Sequence, residues 1–133
     1  MKKLAIAAGL GLCASLCMAQ GVPEVRNEKV ALASDGSATL KGRIKGRQSV
    51  RYMVPASAGG QMTVELEASN ASTYFNIGQA GKDEAFYRGA IEGNVFKGRL
   101  PAARDYVITV YQMRNAARRN AVSRYTLRIG QSR

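Results

Sequence analysis

Three arginines crowd one short stretch, Gln112-Met113-Arg114-Asn115-Ala116-Ala117-Arg118-Arg119-Asn120. A guanidinium is a rigid, permanently charged fork that meets a carboxylate or a phosphate through two parallel hydrogen bonds. Ala116-Ala117 favours a helical turn, and in such a turn Arg114 and Arg118, four apart, share one face. Two forks on one face of an ordered loop make an anion-binding tip. The competing reading is structural: the arginines tie the loop down by bonding to Asp105 or to free carbonyls. Loops on rigid scaffolds carry function disproportionately, which keeps both readings open.

Other constellations carry less chemistry. The chain has no histidine and no tryptophan, and its two cysteines, Cys13 and Cys17, both lie near the N-terminus. A Ser-His-Asp or Cys-His site is therefore impossible, as is a zinc site built on His or on Cys retained in the mature chain. Glu65 and Glu67 are two apart on a strand, so they share a solvent face without a cleft between them. Asp83 and Glu84 lack any partner with metal-ligand spacing. We expect no enzyme, no metal and no cofactor. Tyr74-Phe75 and Tyr111 offer rings that could stack on sugars, but their alternation fits core packing better.

The balance of charge is strongly basic, 20 Lys and Arg against 9 Asp and Glu. The positive residues are spread over many strand-like runs and are not interleaved with a stacking motif, so a nucleic acid is not the expected partner. Lys2 and Lys3 precede an apolar run, Leu4 to Met18, that ends in Ala19. That is the anatomy of a secretory signal peptide, residues 1–19, with cleavage before Gln20. A lipoprotein signal is disfavoured, because leucine stands ahead of each cysteine. Removal of 19 residues and two lysines leaves 114 residues and a formal charge of +9. The mature chain, 20–133, then has no thiol, and no later segment is apolar enough to span a bilayer. A single periplasmic domain is expected, without membrane insertion once the signal is removed.

The elements that must position the loop read as strands. Ala38, Leu40, Gly42 and Ile44 alternate with polar neighbours, as do Val50, Tyr52 and Val54, then Met62, Val64 and Leu66, then Tyr125, Leu127 and Ile129. Period two buries one face of a strand and wets the other. Gly-rich turns separate these runs at Ser34 to Ser37, Lys45 to Gln48 and Ser57 to Gly60. Shorter strands are expected at Thr73 to Ile77, Asn94 to Leu100 and Tyr106 to Met113. Gln20 to Lys29 reads as a loose arm, and Gly78 to Glu92 as an irregular loop with a helical turn near Asp83 to Tyr87. The spacing predicts an all-β, antiparallel β-sandwich of about eight strands. Ile44, Val54, Val64, Leu66, Val110, Leu127 and Ile129 form its expected core.

The segment Leu100 to Asn120 resembles the periplasmic inhibitors of g-type lysozyme from Gram-negative bacteria. The pattern is Leu100-Pro101-Ala102, a strand opening on Tyr106, then Gln112-x-Arg114-Asn115-x-Ala117-Arg118. Gly42 to Gly46 and Thr73-Tyr74 extend the likeness, which covers essentially the whole mature chain. Leu-Pro-Ala with a Tyr-led strand also resembles the pre-peptidase C-terminal domain, another secreted β-sandwich. The inhibitor resemblance implies two loops inserted into the substrate cleft of a g-type lysozyme. Arg114 and Arg118, with Gln112 and Asn115 of the same motif, would form one loop. Arg47 and Gln48 would form the other. Two positions depart from the pattern: an aromatic is usual where Arg47 stands, and a turn glycine where Arg104 stands. The alternative function is a non-catalytic periplasmic module that binds peptidoglycan or another anionic polysaccharide.

Overall fold

A computed structural model describes residues 24–56, 60–82, 84–100 and 104–132. The expected signal peptide, the turn at 57–59, Asp83 and the Pro-Ala of the Leu-Pro-Ala motif lie outside the described residues. Among those described, the order is β1 (Val25–Lys29), β2 (Ser37–Lys45), β3 (Ser49–Pro55), β4 (Gln61–Ala68), β5 (Thr73–Gln79), β6 (Ala85–Arg88), α1 (Gly89–Glu92), β7 (Val95–Arg99), β8 (Asp105–Gln112), α2 (Arg114–Arg118) and β9 (Val122–Ser132). One sheet has five strands in the order β1-β3-β8-β5-β6, and the other has four in the order β2-β9-β4-β7. The sheets face each other as an all-β sandwich.

Alternation fixes which side of each strand meets the other sheet. Val50, Tyr52 and Val54 of β3 and Tyr106, Ile108 and Val110 of β8 are buried, and so are Ile44, Met62, Val64, Leu66, Leu127 and Ile129 opposite them. All seven expected core residues are among the buried set. Two buried hydroxyl pairs also join the sheets. Tyr52 and Tyr125 meet through their hydroxyls at 2.7 Å, and Thr73 Oγ1 donates to Ser123 Oγ at 2.7 Å. A hydroxyl withdrawn from water needs a partner, so each pair satisfies what burial would otherwise leave costly. Tyr125 lies across its β2 neighbour Gly42, where a Cβ would sit 2.4 Å from the phenolic oxygen.

Two expectations are corrected. The presumed loose arm contains β1, which pairs in parallel with β3 from Val25↔Ser49 to Lys29↔Met53. All five of its residues are exposed, so no buried face imposes a period on the sequence. The presumed irregular loop contains β6, and its helical turn falls later, at Gly89–Glu92. With four residues and only Tyr87 buried, β6 is too short to declare a period. The described residues thus form nine strands.

Candidate functional site at one end of the sandwich

Three connections cross between the sheets at the same end. They are the β2–β3 turn at Gly46–Gln48, the β4–β5 turn at Ser69–Ser72 and the β8–β9 connection that holds α2. Register fixes this convergence, because Lys45 pairs with Val122, Val50 with Val110, and Thr73 with Gln112.

The β8–β9 connection has no glycine, yet it closes tightly. Ala116 and Ala117 bury the inner face of α2, while Arg114, Asn115 and Arg118 stay exposed. The helix ends with Asn120 at φ +54°. Its N–H donates to the Ala117 carbonyl at 3.1 Å, and the Ala121 N–H donates to the Ala116 carbonyl at 3.1 Å. This is a Schellman cap with asparagine in the left-handed position usually given to glycine. Two carbonyls that would otherwise face solvent are satisfied, which ties down the end of the helix.

Gln112 pins the three connections together. Its side chain is only 6% exposed. Nε2 donates to the Ala121 carbonyl at 2.7 Å and reaches the Gly46 carbonyl at 3.4 Å. Oε1 accepts from Asn70 Nδ2 at 3.1 Å, and Asn70 belongs to the third turn. Gln112 continues the inward parity of Tyr106, Ile108 and Val110, a signal already present in the sequence. The β2–β3 turn docks on this assembly, with the Gly46 N–H donating to the Ala121 carbonyl at 2.9 Å. Asn70 was not singled out from the sequence, nor was Asn120.

The six residues named from the sequence therefore divide. Arg47, Arg114, Asn115 and Arg118 are exposed at one tip. Gln112 is committed inside it. Gln48 is committed as well: Oε1 accepts from the Lys45 N–H at 2.9 Å and Nε2 donates to Glu24 Oε1 at 2.8 Å. Asn115 Oδ1 accepts from the Ala116 N–H at 2.8 Å, at the start of α2, and the residue is exposed. Among the described residues, Arg47, Arg114 and Arg118 make no ion pair. The two pairs observed, Arg26–Glu28 and Arg128–Glu67, lie elsewhere. Asp105 sits at the start of β8, at the opposite end of that strand, so it does not tie the arginines down. The tip is thus a preordered, uncompensated cationic surface. Among the described residues no group of His, Cys, Asp or Glu could hold a metal ion.

The aromatic residues also divide. Phe75 is fully buried and stacks on Tyr87 with ring centroids 5.5 Å apart. Tyr74 and Tyr111 were expected in the core, but they are half-buried on the outer face of the five-stranded sheet, directly opposite each other on β5 and β8.

No protein-family model and no curated protein sequence matches the chain. Solved structures do. A periplasmic lysozyme inhibitor of g-type lysozyme, PliG, from Aeromonas hydrophila superposes with a TM-score of 0.75 at 32% identity, over 84% of this chain and 100% of that one. The chain belongs to the PliG family. Two further PliG structures also match. PliG from Salmonella Typhimurium has a TM-score of 0.62 at 26% identity, over 80% of this chain and 99% of that one. A mutant PliG from Escherichia coli gives the same score and identity, with 98% of its chain covered. The pre-peptidase C-terminal domain of a Bacillus anthracis collagenase shares the fold alone, at a TM-score of 0.56 and 15% identity over 85% of this chain and all of that one. All three PliG structures are described as inhibitors of g-type lysozyme. Its solved relatives are described as periplasmic, and no helix among the described residues is long and apolar enough to cross a membrane.

Proposed function

We propose that this PliG-family chain inhibits a g-type lysozyme by seating the α2 tip in the substrate cleft. Arg114 and Arg118 supply the inserting charges, with Arg47 and Asn115 beside them. The reading rests on one observation: both α2 arginines are exposed and lack an ion-pair partner among the described residues, on a loop that is capped and pinned. A cleft that hydrolyses a glycosidic bond carries carboxylates for acid–base work. A cationic tip complements it, and a tip already ordered loses little entropy on insertion. Gln112 and Gln48 act on this surface by holding its shape. The domain spans residues 20–133 and works in the periplasm after removal of residues 1–19.

The test is a lysis assay with purified mature protein against g-type, c-type and i-type lysozymes. Near-stoichiometric inhibition of the g-type enzyme is expected, with little effect on the other two. Lysis that proceeds unhindered at excess inhibitor would reject the reading. N-terminal sequencing of the periplasmic protein checks the processing and should return Gln20 first.

A further inference from the structure

The outer face of the five-stranded sheet is built in rows that the tip does not use. One row is aromatic: Tyr111 of β8 and Tyr74 of β5 are register partners. The next row is polar and crosses four strands as Arg51, Thr109, Asn76 and Arg88. Both arginines are exposed, and among the described residues neither has an ion-pair partner. Adjacent strands are about 4.8 Å apart, so the two arginines stand about 14 Å apart with hydrogen-bonding groups between them. Successive rows are roughly 7 Å apart along the strands. The Tyr111 hydroxyl lies 3.5 Å from Asn76 Oδ1, which ties the aromatic row to the polar one.

A sugar ring presents an apolar face of C–H groups and an edge of hydroxyls. Neighbouring tyrosines on the outer face of a sheet offer a surface for the first, and Asn76 with Thr109 offers donors and acceptors for the second. Arginine at each end of the polar row selects a polymer that also carries carboxylates, since a guanidinium pairs with them bidentately. A lipid surface would also meet the charges and accept tyrosine rings, but it offers no rigid edge of hydroxyls to Asn76 and Thr109 between the two arginines, which favours the glycan. We propose that this face binds a carboxylate-bearing glycan strand, the rings of Tyr74 and Tyr111 carrying the sugars and Arg51 and Arg88 the carboxylates. Peptidoglycan has this chemistry, and it is the polymer a lysozyme cuts. The face lies on the outside of the five-stranded sheet and the inhibitory tip at its end, so the site adds to the proposed function and does not depend on it.

The experiment is co-sedimentation of the mature protein with isolated peptidoglycan sacculi, without lysozyme. The parent protein should pellet saturably. Tyr74→Ala with Tyr111→Ala should lower the apparent affinity at least tenfold, and the paired Tyr→Phe variant should restore most of it. Arg51→Gln with Arg88→Gln, at exposed positions that fold safely, should lower it several-fold, as should amidation of the sacculus carboxylates. Arg114→Ala should pellet like the parent. Four results would overturn the proposal: a parent that stays in the supernatant, alanine variants that pellet unchanged, loss of binding on Arg114→Ala, or equal binding to phosphatidylglycerol vesicles with no dependence on the tyrosines. Lysozyme inhibition measured on the tyrosine variant should match the parent, so failure of either reading is seen separately.

Discussion

Gly46 lies against Asn120 so closely that a Cβ on the glycine would come within 2.8 Å of the asparagine Oδ1. Both residues have positive φ, +60° and +54°. Two left-handed residues on different connections thus lock the β2–β3 turn to the cap of α2. Gly46→Ala meets a steric and a conformational obstacle together. It should destabilise the domain by about 1–2 kcal/mol from the left-handed strain alone. Asn120→Gly should be tolerated, because glycine adopts that conformation freely, whereas Asn120→Ala should cost about 1 kcal/mol or more. Urea unfolding of the three variants checks the order, and an Asn120→Ala midpoint equal to that of Asn120→Gly would refute it.

The α2 arginines should affect binding and not folding. Losing one partner of a buried, hydrogen-bonded charge pair costs on the order of 2–5 kcal/mol, much of it from the charge left behind. Arg114→Ala and Arg118→Ala should each weaken inhibition of g-type lysozyme by tens- to thousands-fold. Their far-UV spectra and thermal midpoints should match the parent, since neither side chain has an ion-pair partner among the described residues. Arg128, already paired with Glu67 at 2.7 Å on the outer face of the other sheet, should be dispensable for inhibition. Two alanine variants that inhibit as well as the parent would end the inserted-arginine mechanism.

Gln112 should show the opposite pattern. Gln112→Ala leaves the Ala121 carbonyl its bond from the Gly46 N–H, but takes the side-chain partner from the Gly46 carbonyl and the Asn70 amide at a partly buried junction. Unpaired buried polar groups cost about 1–3 kcal/mol. A fall in thermal midpoint of roughly 5–15 °C should follow, together with weaker inhibition as the tip loosens. Differential scanning calorimetry beside the lysis assay separates this from the arginine variants, which lose inhibition at constant midpoint.

The Tyr52–Tyr125 pair makes an alkaline prediction. Burial first, and for Tyr125 the neighbouring Tyr52 hydroxyl as well, pushes both phenols above their ordinary range. Folding therefore favours the neutral phenols. The stabilisation is complete below the unfolded tyrosine pKa of about 10 and is lost as pH rises beyond it, because the unfolded chain then releases protons that the folded one keeps. The urea midpoint should fall above about pH 10, and Tyr125→Phe should flatten that fall. A parent midpoint level through this range would show that the pair does not stay protonated in the fold.

Much of this architecture was legible because burial writes itself into sequence as period two. Ile44, Val64 and Leu127 could be assigned to a core before any strand was seen. The same logic explains the failures. Every residue of β1 is exposed, so its pairing with β3 rests on backbone hydrogen bonds, which leave no trace in side-chain type. Tyr74 and Tyr111 are expected inside from strand alternation, but Phe75 and Val110 beside them occupy the inward parity. At the tip, helical spacing placed Arg114 and Arg118 together. Gln112 was read as a contact residue through its motif, although its strand parity points it inward. A motif groups residues by a shared task and does not say which touch the partner and which hold the others still.

The position of β9 bears on how the domain is made. This strand is the last of the described elements, yet it lies in the interior of its sheet, between β2 and β4. Its pairing with β2 joins Ser37 to Gly130 and Lys45 to Val122, contacts separated by most of the domain. Such non-local pairing slows folding, because distant segments must meet before any reward is gained. A chain emerging N-terminus first leaves β2 without its neighbour until Val122–Ser132 has arrived. Throughout that interval the edges of β2 and β4 that β9 will cover are open to pairing with other chains, an exposure that this topology builds into synthesis.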